Sequence, residues 1–126
     1  MKLTPDANTG HSIHSYGADW INVNGERHTS SILLSASLGP RAWNCQNFDA
    51  LGPAHFEQLC DFKPEMVVFG SGSRLRFPPP LWLQSLYAQR IGVETMDTQA
   101  ACRTFNFLVA EGRMVVAALL LESGKP

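Results

Sequence analysis

The segment VETMDTQAACRTFNFLVAEGR, from Val93 to Arg113, constrains the fold more than any other part of the chain. It reads as a short strand, a capped turn at Asp97-Thr98 and one complete helix that stops at Gly112. The alternation extends to both sides of it: MVVFG from Met66, PPLWLQSLYAQR closing at Gly92, VETM, TQAACRTFNFLVAE, and finally MVVAALLL. These strands are continuous apolar runs, the pattern of a sheet covered by helices on both faces. Right-handed crossovers make the three strands parallel neighbours. The expected fold class is α/β, with an N-terminal β-hairpin followed by βαβαβ and a mainly parallel central sheet.

Ahead of this unit, residues 1–12 are polar and aperiodic and read as a flexible tail, leaving 13–126 as a single domain. The runs Trp20–Val23 and Ser31–Leu34 flank Asn24-Gly25, a pair that supplies the positive φ angles of a type I′ turn, so these two runs are expected to form the hairpin. Gly39-Pro40 ends it, Trp43 anchors the connection in the core, and Pro53–Cys60 has helical apolar spacing at 56, 59 and 60. Gly92 and Gly112 stand where helices need a left-handed terminal residue. In the last helix Ala101, Cys102, Phe105, Leu108 and Val109 share the apolar face, opposite Gln99, Arg103, Asn106 and Ala110, with Phe107 between them.

Composition narrows the function classes. The chain has 126 residues, suited to one core, and ten basic against eleven acidic side chains give a formal charge of -1. That balance offers no global attraction for nucleic acid, and no basic run with interleaved aromatics is present. Cysteines 45, 60 and 102 form neither a disulfide framework nor a zinc motif, and His11 with His14 lacks a third ligand, so no metal or other cofactor is expected. The N-terminus lacks a secretory or mitochondrial leader pattern. The longest apolar run, Met114–Leu121, falls well short of the roughly 20 residues that span a bilayer. These features predict a soluble, cytoplasmic protein with no membrane span.

Ligands of open parallel sheets bind outside the carboxyl ends of strands. Two segments meet that description: Gly70, Ser71, Gly72, Ser73 and Arg74 after the first parallel strand, and Asp97 with Thr98 at the start of the last helix. Close backbone approach, two hydroxyls and the cations Arg74 and Arg76 suit a small anion. The same Gly-Ser-Gly also suits a tight strand exit, and it matches neither phosphate-loop nor dinucleotide motifs. Asp97 or Thr98 equally suits a helix cap. Cys102, on the apolar face, reads as a core thiol, and no catalytic triad or nucleophile elbow is present.

At Asp97-Thr98, Ala101-Cys102, Thr104–Leu108 and Glu111-Gly112-Arg113 the chain closely resembles the Mth-domain family. This is a small α/β family of largely unknown biochemical function, and it includes a mitochondrial complex I assembly factor and an adipogenesis-associated protein. Gly70-Ser71-Gly72 is similar to the family's Gly-Thr-Gly, and Arg74 to a frequent basic residue. The resemblance implies a three-layer domain with a possible site between this loop and the Asp97-Thr98 turn, and a stand-alone bacterial member.

With no catalytic constellation, the chain leans away from an enzyme. The expected function is a non-enzymatic protein-interaction or assembly-helper module, with Trp82, Tyr87 or Phe107 as anchors unless core packing claims them. The alternative is a small anionic-ligand binding protein or enzyme using the Gly70–Arg74 loop and Asp97-Thr98.

Overall fold

The computed structural model describes residues 10–122, so most of the expected tail, residues 1–9, lies outside the described residues. Strands β1 (Ile13–Tyr16), β2 (Ile21–Val23) and β3 (Glu26–His28) form a small antiparallel sheet in that order. Residues before it are tied down: the His11 N–H donates to Ala36 O at 2.9 Å, and Asn24 Oδ1 accepts from the Ser12 N–H at 3.0 Å.

The hairpin differs from expectation. Asn24 and Gly25 do take the left-handed turn, with φ 51° and 96°, but the second strand is Glu26–His28 rather than Ser31–Leu34. A two-residue turn pairs the residues that flank it directly, here Val23 with Glu26, so a run beginning five residues later cannot follow it. The apolar Ile32–Ser35 instead becomes β4 of a second sheet, antiparallel to β8 (Val115–Leu119) and edged by the two-residue β5 (Arg41–Ala42).

In this second sheet β6 (Met66–Gly70) lies between β8 and β7 (Gly92–Met96) and is parallel to both. The order β5-β4-β8-β6-β7 makes the sheet mixed, with two parallel and two antiparallel pairings. Period-two alternation sends Val67 and Phe69 to one side and Val68 to the other. On the first side Trp43, Phe56 and Phe69 meet edge to face at 5.2–6.0 Å between ring centroids. Phe56 belongs to α1 (Pro53–Glu57), which continues into a tight 3-10 turn at Gln58–Phe62. Leu86 of α2 (Gln84–Ala88) completes this core.

On the other side lies α3 (Thr98–Ala110), with Ala101, Cys102 and Phe105 fully buried against Val68 and the small sheet's Ile21 and Val23. Asn106, expected on the outward face, grips β1: its Oδ1 accepts from the Ile13 N–H at 2.9 Å and its Nδ2 donates to Ile13 O at 2.6 Å. This bidentate clamp fastens the small sheet to the helix.

Gly112 ends α3 as expected, with φ 82°, and the Gly112 and Arg113 amides close onto Val109 O and Leu108 O. Gly92 does not play that part for α2. Arg90 takes the left-handed position, φ 63°, with Arg90 N–H to Tyr87 O and Ile91 N–H to Leu86 O at 2.9 Å each. Ile91 must reach the core beside Leu86, and that requirement sets the helix end two residues before the glycine. Among the described residues no helix is long and apolar enough to cross a membrane.

Candidate functional site

The loop after β6 and the turn before α3 come together at the carboxyl end of the parallel strands. Their contact is direct. The Gly72 N–H donates to Thr98 Oγ1 at 2.8 Å, the Thr98 N–H returns to Gly72 O at 2.8 Å, and the Thr98 hydroxyl donates to Leu120 O at 2.7 Å. One buried threonine therefore joins three chain segments. Asp97 is the helix cap, with Oδ1 accepting from the Ala100 N–H at 2.9 Å, and Thr98 is the first helical residue.

The glycines serve this close approach. A Cβ on Gly70 would stand 2.9 Å from both Thr98 Cα and Oγ1 and 3.1 Å from Ala101 Cβ. At Gly72 the backbone takes φ 102°, and a Cβ would meet Arg76 Nη2 at 2.5 Å and Glu122 Oε1 at 2.7 Å. Ser71 is wholly buried, and its hydroxyl donates to Arg74 O at 2.7 Å while accepting from the Arg76 N–H at 3.0 Å. Its amide donates to Met96 O at 2.8 Å.

The two arginines have separate environments. Arg76 is largely enclosed: Nη2 donates to Ser71 O at 2.7 Å and to Glu122 Oε1 at 2.5 Å, and its guanidinium lies 4.9 Å from the centre of the Phe48 ring. Glu122 Oε2 also accepts from the Phe48 N–H at 3.0 Å. Burial pushes the Glu122 carboxyl up, but hydrogen bonds from Arg76 and the Phe48 amide, with the nearby Arg76 and Arg74 charges, outweigh it and hold the group below its ordinary value. Arg74 and Ser73 are exposed, and Arg74 forms no ion pair among the described residues.

Elsewhere the thiols are enclosed. Cys45, Cys60 and Cys102 are free and buried, and burial pushes the Cys102 thiol up to about 12. Such a thiol is no nucleophile at neutral pH. His11 Nδ1 lies 3.0 Å from Ala36 O, and among the described residues no cluster of three metal-ligating side chains forms.

Of the three aromatics considered as anchors, Trp82 is half-buried between Phe48 and Phe56, with centroids 5.6 and 6.0 Å away. Tyr87 and Phe107 are exposed. Sequence reasoning missed further exposed apolar residues near Tyr87 in the chain: Leu75, Phe77, Leu81 and Tyr87 are all more than half exposed, four of the seven exposed large hydrophobics among the described residues. The signal available was the run Leu75–Trp82, in which three consecutive prolines follow Phe77: Leu75 and Phe77 lie outside helix and strand, and Leu81 sits in the 3-10 turn Pro80–Leu83 that the last proline opens.

Fold and site together define a mixed α/β domain in which a strand-exit loop and a helix start are hydrogen-bonded to one another. The chain belongs to the family described as protein of unknown function (DUF498/DUF598), whose model matches residues 13–120. It is 34% identical over 117 residues to human NADH dehydrogenase (ubiquinone) 1 alpha subcomplex assembly factor 3, covering 89% of this chain and 61% of that protein. The chain thus spans about three-fifths of the length of this relative.

Among solved structures, a crystal structure of a Bordetella parapertussis protein superposes with a TM-score of 0.86 at 35% identity, covering 90% of this chain and 98% of that one. The solution NMR structure of a Bordetella pertussis protein, described as an Mth938-like domain, matches with a TM-score of 0.82 at 31% identity over 97% and 93% of the two chains. The resemblance to the Mth-domain family is borne out.

Proposed function

We propose that this chain is a non-enzymatic protein-interaction module, an assembly helper that works as a single three-layer domain over residues 13–126 in the cytoplasm. The observation that carries this reading is the identity to assembly factor 3 across nearly all of the domain. The exposed Phe77 and Tyr87, which line one groove, support it, with Leu75 and Leu81 exposed in the same stretch of chain, because large exposed apolar patches mark partner sites. Affinity capture of the tagged chain at native expression, followed by mass spectrometry, should recover a reproducible partner in fixed proportion. Recovery of none, with the tag accessible and the chain folded, would contradict the proposal.

A second reading keeps Gly70–Arg74 with Asp97-Thr98 as a small-anion site. What favours it is the exposed pair Ser73 and Arg74 at the carboxyl end of β6, where Arg74 forms no ion pair among the described residues. An anion at 100 times its dissociation constant should stabilise the fold by about 2.7 kcal/mol. Thermal melts in inorganic phosphate and small dicarboxylates should then rise for the wild type and stay flat for Arg74→Ala. A flat wild-type response would remove this reading.

A further inference from the structure

The two edges of the large sheet are unequal. At one end β5 has only two residues and carries Arg41, the kind of short, charged edge that resists further pairing. At the other end β7 has five residues, Gly92-Val93-Glu94-Thr95-Met96, with no proline and no lysine, and all five are at least partly exposed. Its outer row of backbone N–H and C=O groups is a template for one more strand, with Glu94 as the one charge along it.

An apolar groove runs along this edge. Phe77, Pro78, Pro80 and Tyr87 line it together with the β7 stretch Val93-Glu94-Thr95. The register explains the sidedness: Val93 and Thr95 pair with Val67 and Phe69 and share their face, while Glu94 pairs with Val68 and points to the opposite one. A strand added to β7 would therefore meet an apolar groove, then a carboxylate on the other face, then the groove again. That surface fits an extended segment with a basic residue between two apolar ones.

A second copy of this chain fits poorly. The two-fold antiparallel register that pairs all five residues sets Glu94 of one copy directly opposite Glu94 of the other, and like charges directly opposite destabilise a sheet. Registers that avoid this clash give up part of the ladder.

Resting on the interaction-module reading above, we propose that β7 accepts an extended segment of a different protein as a sixth strand, with apolar side chains seated in the Phe77–Tyr87 groove and a lysine or arginine opposite Glu94. Backbone pairing would supply the affinity, and the groove with Glu94 the selectivity.

Selection of phage-displayed seven-residue peptides on the immobilised chain tests this. Enriched peptides should alternate apolar and basic residues and slow hydrogen exchange of the β7 amides. Phe77→Ser and Tyr87→Ser, at exposed positions that leave the circular dichroism spectrum unchanged, should each weaken a selected peptide by about tenfold or more. Glu94→Lys should weaken it by several-fold to about tenfold and shift a fresh selection toward acidic residues. No enrichment, or enriched peptides indifferent to all three variants, would overturn the proposal. A concentration-dependent dimer in ultracentrifugation that Phe77→Ser dissolves would assign the edge to a second copy and overturn it too. If native capture still recovers a partner that these variants do not release, the interaction module stands and the β7 assignment falls. If capture recovers nothing, the module reading itself falls.

Discussion

Replacing Thr98 by valine keeps the shape of the side chain and removes only the hydroxyl that joins the β6 loop, α3 and the end of β8. In the native structure this oxygen accepts from the Gly72 N–H at 2.8 Å and donates to Leu120 O at 2.7 Å, at a site that is 5% exposed. Valine offers neither partner anything, and water cannot readily reach them. A buried donor or acceptor left unsatisfied costs about 1–3 kcal/mol, so the pair should cost about 2–6 kcal/mol. Thr98→Ser keeps both hydrogen bonds and loses one methyl, about 0.8 kcal/mol. For a urea dependence of about 2 kcal/mol per molar, the valine variant should unfold roughly 1–3 M earlier than wild type and the serine variant roughly 0.4 M earlier. Equilibrium urea unfolding followed by tryptophan fluorescence measures both. A valine midpoint equal to or above the serine midpoint would refute the assignment of this hydroxyl as the joint.

Three further outcomes follow from the structure. Arg90→Gly should stabilise the fold by about 0.5–1 kcal/mol, since glycine removes the left-handed penalty at the end of α2 but raises unfolded-chain entropy; thermal melts would show it. Asn106→Ala frees both polar groups of Ile13 and should cost about 1–3 kcal/mol, with faster hydrogen exchange at Ile13 and across β1. For Glu122 the folded carboxyl titrates below its ordinary value of 4.5, so its stabilisation is present above that pH and lost as the pH falls toward the folded value. Glu122→Gln should therefore be less stable than wild type at pH 7, with a shallower loss of stability below about pH 4.5; an unchanged acid limb in chemical denaturation would contradict this.

The legible part of the fold was the part governed by long apolar runs and local chemistry. Met66–Gly70, Thr98–Ala110 and Val115–Leu119 form their strands and helix where periodicity puts them, because continuous burial leaves few alternatives. Asn24-Gly25 marked its turn, yet Ile32–Ser35 drew the pairing on apolarity when the polar Glu26–His28 owned it by proximity. Strand β1 carries little sequence signal because Ile13–Tyr16 has one buried residue, and its hold on the fold comes from a side chain 93 residues away. In the site, the sequence pattern of Gly70, Ser71, Gly72 and Thr98 suits both the neighbourhood of a ligand and a close structural joint. The sequence could not reveal that their polar groups satisfy one another, since that depends on how closely α3 approaches β6.

Hydrogen exchange of the chain alone and in complex with its captured partner tests most directly that this domain acts through a protein bound along its apolar edge. The account predicts slowed exchange in β7, residues 92–96, and in the flanking segment 75–87. Slowed exchange confined to 70–74 and 97–98, with the β7 amides unchanged, would contradict it.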